Sequence, residues 1–217
     1  TAPTEIYTLS LHDALPISFL LIRHGAHLLG GDTIAGRMPG VHLGPLGREQ
    51  AQRLADRVGN LPIRAVYSSP IDRCRETAAP LADRLGVPVA VSGALSEIDV
   101  GEWTGRKLDD LRPLPEWRRW NEFRSGTRAP GGESMLEVQA RIVGEMQRLS
   151  ALHGEQGCVA LFSHGDVIKA AAGYYLGVPL DLVRRIEISL VSVSVIRVDE
   201  FGPWVLGINN TGEVLIG

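Results

Sequence analysis

Two short apolar runs constrain the fold of this chain most strongly, because each leads into a histidine followed by a glycine. Residues 19–22 lead into Arg23-His24-Gly25, and residues 158–162 lead into Ser163-His164-Gly165. Runs this short and this uniformly apolar are typical of strands buried on both faces of a parallel sheet. Ligands of open α/β sheets bind at the carboxyl ends of the strands, so both histidines are predicted to lie at a ligand-binding edge.

The rest of the sequence alternates helical and extended patterns. Apolar residues recur at spacings of three and four where helices are predicted, over Pro45–Val58, 71–85, 134–149 and 166–176. Further short apolar runs predict strands at 64–67 and 88–91, and an antiparallel pair at 191–195 and 204–208. This alternation indicates an α/β fold, namely a three-layer α/β/α sandwich around a mostly parallel central sheet.

The composition is that of one folded domain. A chain of 217 residues can bury a full core, and its net charge of −3 gives no sign of nucleic-acid binding. No apolar run approaches the roughly 18 residues that a membrane-spanning helix needs. Cys74 and Cys158 lie in apolar patterns rather than in a CxxC motif, which predicts buried thiols in a reducing compartment. We therefore expect a cytoplasmic protein without nucleic-acid or membrane partners; the sequence leaves its oligomeric state open.

The first 18 residues differ in character from the rest. Residues 9–17 hold no helical or strand period, and the segment lacks the basic and apolar regions of a signal peptide. Residues 4–17 resemble the translation of a common short-read sequencing adapter. We expect residues 1–18 to be a non-native tail and the functional domain to span residues 19–217.

An arginine near a helix start points to a bound anion. Arg73 lies in the first turn of a helix that Ser69 is expected to cap and Pro70 to begin. The helix dipole already favours negative charge there, so this arginine indicates either a bound anion or a surface salt bridge. Two arginines with two histidines suit a tetrahedral oxyanion, because guanidinium groups match phosphate oxygens bidentately. A metal site is not expected, since arginines repel a metal ion.

A carboxylate is expected to complete the site. Three candidates lie within six residues, between apolar and glycine positions, and their spacing leaves open which one faces inward: Glu97, Asp99 or Glu102.

Five motifs, in this order, resemble those of the histidine phosphatase superfamily in its phosphoglycerate mutase-like branch. They span essentially residues 19–217 and are Arg23-His24-Gly25, Ser69-Pro70-Ile71-Asp72-Arg73, Glu97 with Gly101, Gly132-Glu133-Ser134, and Ser163-His164-Gly165. The resemblance implies that His24 attacks phosphorus while three side chains hold the phosphoryl oxygens: Arg23, Arg73 and His164. It further implies that Glu97 is the general acid and that the reaction needs neither metal nor cofactor.

Departures from the mutase pattern favour a phosphatase. Mutases that resemble this chain usually carry glutamate, asparagine and arginine at the positions of Ala26, Gly30 and Ile98. Short motifs at 36–40 and 101–105 look more like those of small bacterial phosphatases, including α-ribazole phosphatase-like proteins. We therefore expect a hydrolase acting on a small phosphorylated metabolite.

Two alternatives stay open. A phosphoglycerate-type mutase is possible because Arg118 and Arg119 could replace the missing contacts, and a non-catalytic module that binds phosphorylated ligands could share the fold. The expected substrate contacts are Arg37, Trp103, Arg118 and Gly165.

Overall fold

A central sheet organises the computed structural model, which describes residues 16–154 and 157–216. Within these ranges the sheet has six strands: β1 (Ile17–Arg23), β2 (Ile63–Ser68), β3 (Val89–Val91), β4 (Gly157–Ser163), β5 (Val193–Asp199) and β6 (Gly202–Asn210). Their order is β3-β2-β4-β1-β5-β6. The first four strands are parallel, β5 pairs antiparallel with β1, and β6 pairs antiparallel with β5. This arrangement confirms the predicted α/β fold with a mostly parallel sheet.

Helices cover both faces of this sheet. They are α1 (Pro45–Val58), α2 (Asp72–Leu85), α3 (Leu108–Leu111), α4 (Pro115–Glu122), α5 (Met135–His153) and α6 (Gly165–Leu176). Alternate residues of β1 point to opposite layers: Phe19 and Leu21 pack with α5 and α6, whereas Leu20 and Ile22 pack with α1 and α2. Because β1 and β4 are buried on both faces, they form uninterrupted apolar runs in the sequence.

Strand β1 begins before the predicted domain start at residue 19. Ile17 and Ser18 pair in parallel with Gly157 and Cys158 of β4, and Ile17 is fully buried. Most of the predicted tail, residues 1–15, lies outside the described residues.

The predicted start of α2 is wrong by two residues. The helix begins at Asp72 after Ile71 in an extended conformation, rather than at Pro70. The Ser69 hydroxyl does accept a hydrogen bond from the Ile71 amide, at 3.3 Å, but it also lies 2.9 Å from Nε2 of His164, the residue that follows β4. Ser69 therefore contacts both the start of α2 and the carboxyl end of β4.

Residues 101–134 form a segment of short helices that includes α3 and α4. Its anchor is a cluster of three indoles, in which Trp103 packs edge-on against Trp117 and Trp120. Trp117 and Trp120 therefore pack this segment together with Trp103. No helix in the described ranges is both long enough and apolar enough to cross a bilayer.

Candidate active site

The carboxyl end of β1 delivers His24 to the centre of the site. The His24 amide donates to the Ser163 carbonyl at the end of β4, at 3.1 Å, and the side chain is 3% exposed. Its Nδ1 lies 2.8 Å from the Gly25 carbonyl oxygen. A carbonyl can only accept, so Nδ1 carries the proton and Nε2 keeps a free lone pair. Gly25 is required here because a Cβ would lie 2.8 Å from the Gly47 carbonyl oxygen.

Arg73 lies beside that lone pair. Its Nε donates to His24 Nε2 at 3.2 Å, and one Nη donates to the Gly36 carbonyl at 2.8 Å. The other terminal nitrogen, Nη1, is buried without a hydrogen-bond partner among the described residues. A fully buried guanidinium with an unused donor suits an anionic ligand.

His164 faces His24 from the end of β4. The two ring centroids are 5.2 Å apart, and His164 Nδ1 lies 3.2 Å from Nη2 of Arg73. Since the arginine can only donate, Nδ1 is the acceptor and Nε2 carries the proton toward the Ser69 hydroxyl, at 2.9 Å. Burial and neighbouring cationic groups lower the pKa of both His24 and His164. Both rings are therefore neutral near neutral pH.

Arg23 supplies the second cation. One of its terminal nitrogens donates to the Ile188 carbonyl at 2.6 Å, and its Nε is buried without a partner in the described part of the chain. Gly165 lies next to it, since a Cβ on this residue would be 3.5 Å from Arg23 Nε. Gly165, which is the first residue of α6 and a predicted substrate contact, thus lies beside the Arg23 guanidinium.

Of the three candidate carboxylates, Glu97 is the one that lies beside His164. Its Oε2 lies 3.8 Å from His164 Nδ1, and its Oε1 accepts a hydrogen bond from the Ile98 amide at 2.9 Å. Asp99 instead accepts from the Gly101 amide, and Glu102 is exposed. Burial, together with the charge of Asp166, raises the pKa of Glu97 to about 7. The site therefore holds a carboxyl group that can donate or accept a proton near neutral pH.

Arg37 fixes the backbone of Glu97. Its Nε donates to the Glu97 carbonyl at 2.7 Å, and its Nη2 donates to Glu133 Oε2, also at 2.7 Å. Arg141 contacts the same carbonyl at 3.3 Å and the same carboxylate at 3.2 Å. The structure thus places Arg37 in a clamp around the Glu97 backbone, whereas the sequence predicted a contact to substrate.

The other two predicted substrate contacts, Trp103 and Arg118, have no contact with the two histidines in the described structure. Trp103 is 2% exposed, with its ring enclosed by Trp117 and Trp120, so the structure does not support its predicted role as a leaving-group contact. A tryptophan between glycines at a loop is equally suited to anchor that loop, which the sequence pattern does not reveal. Arg118 lies exposed on α4, and its predicted contact to substrate stays a prediction.

His27, which the motifs did not single out, also lies beside His24. Its ring centroid lies 5.6 Å from that of His24, and its backbone forms an antiparallel bridge with Leu43. Burial, Arg73 and Arg23 lower the pKa of His27. Its position three residues after His24, in a glycine-rich loop, was the available signal.

The described fold is an α/β fold with a mostly parallel sheet, and it gathers two histidines, two arginines and a carboxyl group at the carboxyl ends of β1 and β4. The chain belongs to the histidine phosphatase superfamily (branch 1), whose family model matches residues 19–211. This match confirms the family predicted from the five motifs.

Relatives of this chain include both mutases and phosphatases. A Yersinia pestis protein named "Probable phosphoglycerate mutase GpmB" is 34% identical over 191 residues, covering 85% of this chain and 86% of its own. The solved mycobacterial glucosyl-3-phosphoglycerate phosphatase is 26% identical with a TM-score of 0.81, over 90% of this chain and all (100%) of that one. Bacillus stearothermophilus YhfR is also 26% identical, with a TM-score of 0.82, over 92% of this chain and 98% of its own.

Proposed function

We propose that the protein hydrolyses small phosphomonoesters through a phosphohistidine on His24. The observation that carries this proposal is the position of His24 Nε2, a neutral nitrogen whose unprotonated lone pair accepts a hydrogen bond from the buried guanidinium of Arg73. A neutral imidazole is a nucleophile, and adjacent cationic donors stabilise the charge that spreads over phosphoryl oxygens in transfer.

In the first step, His24 Nε2 forms a bond to phosphorus while the bond from phosphorus to the ester oxygen breaks. Glu97 gives its proton to the departing oxygen and becomes a carboxylate. In the second step, this carboxylate takes a proton from water, whose oxygen bonds to phosphorus as the bond to His24 breaks. Inorganic phosphate leaves, and both residues regain their starting states. The two arginines hold the phosphoryl oxygens, and His164 joins them once its nitrogen that faces the phosphoryl group carries a proton, so no step requires a metal or cofactor.

Support for hydrolysis comes from a phosphatase relative and from the sequence departures at Ala26, Gly30 and Ile98. The named function of the mycobacterial relative is that of a phosphatase, and its fold covers nearly all of this chain. The second candidate is a phosphoglycerate-type mutase, which the 34% identity to the Yersinia relative favours. The two differ in whether the phosphoryl group passes from His24 to water or back to a phosphoglycerate.

The test is release of inorganic phosphate from a panel of phosphomonoesters in excess EDTA. We expect turnover by the wild type and none by His24→Ala, with His153→Gln as a matched control because His153 bonds to Tyr67 outside the site. Turnover by His24→Ala would refute the proposal. Transfer of the phosphoryl group from a primed enzyme to phosphoglycerate rather than to water would establish the mutase.

A further inference from the structure

A third imidazole borders the proposed phosphoryl pocket. His27 packs at a tilt of 41° against His24, which in turn packs against His164, so the three rings form one continuous cluster. The mechanism described above uses two of these rings. The third therefore has no role in that mechanism.

The backbone holds His27 firmly in this position. The Ala26 amide donates to Gln50 Oε1 at 2.8 Å, and the Leu28 amide donates to the His42 carbonyl at 3.0 Å. Together with the bridge between His27 and Leu43, these bonds fix the chain on both sides of the imidazole. A side chain held in this way is preorganised to meet a ligand.

One nitrogen of the ring lacks a hydrogen-bond partner in the described part of the chain. His27 Nδ1 is buried and has no hydrogen-bond partner among the described residues. Buried polar atoms in native proteins are normally paired, because leaving one unpaired is costly. An unpaired nitrogen beside a proposed ligand pocket is explained if the ligand supplies the partner.

The charges around the ring indicate what that ligand must be. The His24 ring packs against His27, and burial together with the charges of Arg73 and Arg23 lowers the pKa of His27. No carboxylate is among the groups that shift it. An anion bound between the arginines would offset their charge and favour a protonated imidazole, which donates from both nitrogens.

We propose that His27 is a further phosphate-binding residue, whose imidazole donates a hydrogen bond to an oxygen of the bound phosphoryl group. This deepens the proposed function and rests on it, since it names one more contact in the same pocket. It also assigns a ligand contact to the glycine-rich loop at residues 26–44, which otherwise contributes only the Gly36 carbonyl and the Arg37 clamp.

Binding of inorganic phosphate to the intact protein, measured by calorimetry, tests the proposal without requiring turnover. We expect His27→Ala to weaken phosphate binding roughly tenfold, as for the loss of a hydrogen bond to a charged group. His27→Asn keeps a donor and should retain more affinity than His27→Ala. His42→Asn is the matched control on the same loop, since His42 is exposed and pairs with Glu76.

Nitrogen NMR of the histidine rings gives a second measurement that does not depend on a variant folding well. Saturating phosphate should move the His27 ring signals toward those of a doubly protonated imidazole. Equal phosphate affinity in wild type and His27→Ala, or ring signals that do not move, would overturn the proposed His27 contact. Neither result would contradict the proposed phosphatase function. Failure of the wild type to bind phosphate at all would instead overturn the proposed function together with this contact.

Discussion

Arg73 donates its Nε–H to the same His24 lone pair that would attack phosphorus, across 3.2 Å. The hydrogen bond to Gly25 leaves His24 only this lone pair, so an arriving phosphoryl group must take over the arginine's donors before His24 can attack. The guanidinium that is proposed to stabilise the transferred group would therefore also protect the proposed nucleophile. This coupling makes the geometry of Arg73 as important as its charge.

We expect Arg73→Lys to lower kcat by about 10²–10³-fold, because an ammonium keeps the charge but cannot contact His24, Gly36 and the phosphoryl group together. Steady-state kinetics checks this, with Arg75→Lys as the control, since Arg75 is exposed on the same helix. Near-normal kcat in Arg73→Lys would show that charge alone suffices.

Asp166 is expected to set the pH range of the general acid. Its negative charge raises the pKa of Glu97, so Asp166→Asn should lower that pKa below about 7. Glu97 would then lose its proton at lower pH, and the basic limb of the kcat profile should shift toward acid. The exposed pair of Arg84 and Asp56 supplies the control variant Asp56→Asn. An unchanged basic limb would contradict the assignment of Glu97 as the acid.

Glu97 is also predicted to cost stability as pH rises. Its pKa in the folded protein, about 7, lies above its ordinary value of 4.5, so the folded state holds the proton more tightly than the unfolded state. The free energy of unfolding therefore falls through this group as pH rises from about 4.5 to about 7. Glu97→Gln should gain stability relative to wild type across that window, in urea denaturation at several pH values. A constant difference would contradict the raised pKa.

Substitution of Arg37 tests whether this residue positions Glu97 or contacts the substrate. If it acts by holding the Glu97 backbone, Arg37→Ala should lower kcat for substrates with poor leaving groups and spare p-nitrophenyl phosphate, whose leaving group needs little protonation. KM should change little. A rise in KM that depends on the leaving group would instead restore the direct contact predicted from the sequence. Arg53→Ala, in an exposed ion pair on α1, is the control.

The sequence predicted the sheet well, together with the edge at which the two histidines meet, because β1 and β4 are buried on both faces and each apolar run is followed, one residue later, by its histidine. It could not choose among Glu97, Asp99 and Glu102 by spacing, since the backbone of Glu97 and Asp99 is held by residues distant in sequence: Arg37, Glu133 and Arg141. Family resemblance made that choice.

Loop residues were predicted less well, for a physical reason. The partners of Trp103 are indoles on α4, which the pattern around Trp103 does not reveal, so this residue was assigned to substrate. His27 packs against His24, three residues earlier, and senses the charges of Arg23 and Arg73. No periodic pattern shows which way a loop side chain points, so His27 was not singled out.

The central claim is that a phosphoryl group becomes bonded to His24. The most direct measurement is rapid quenching of the enzyme with a phosphomonoester radiolabelled in its phosphoryl group, followed by peptide mapping. The account predicts label on the peptide that contains His24, stable to base and labile to acid, and no label in His24→Ala. Turnover without any labelled protein, or acid-stable label on another residue, would contradict it.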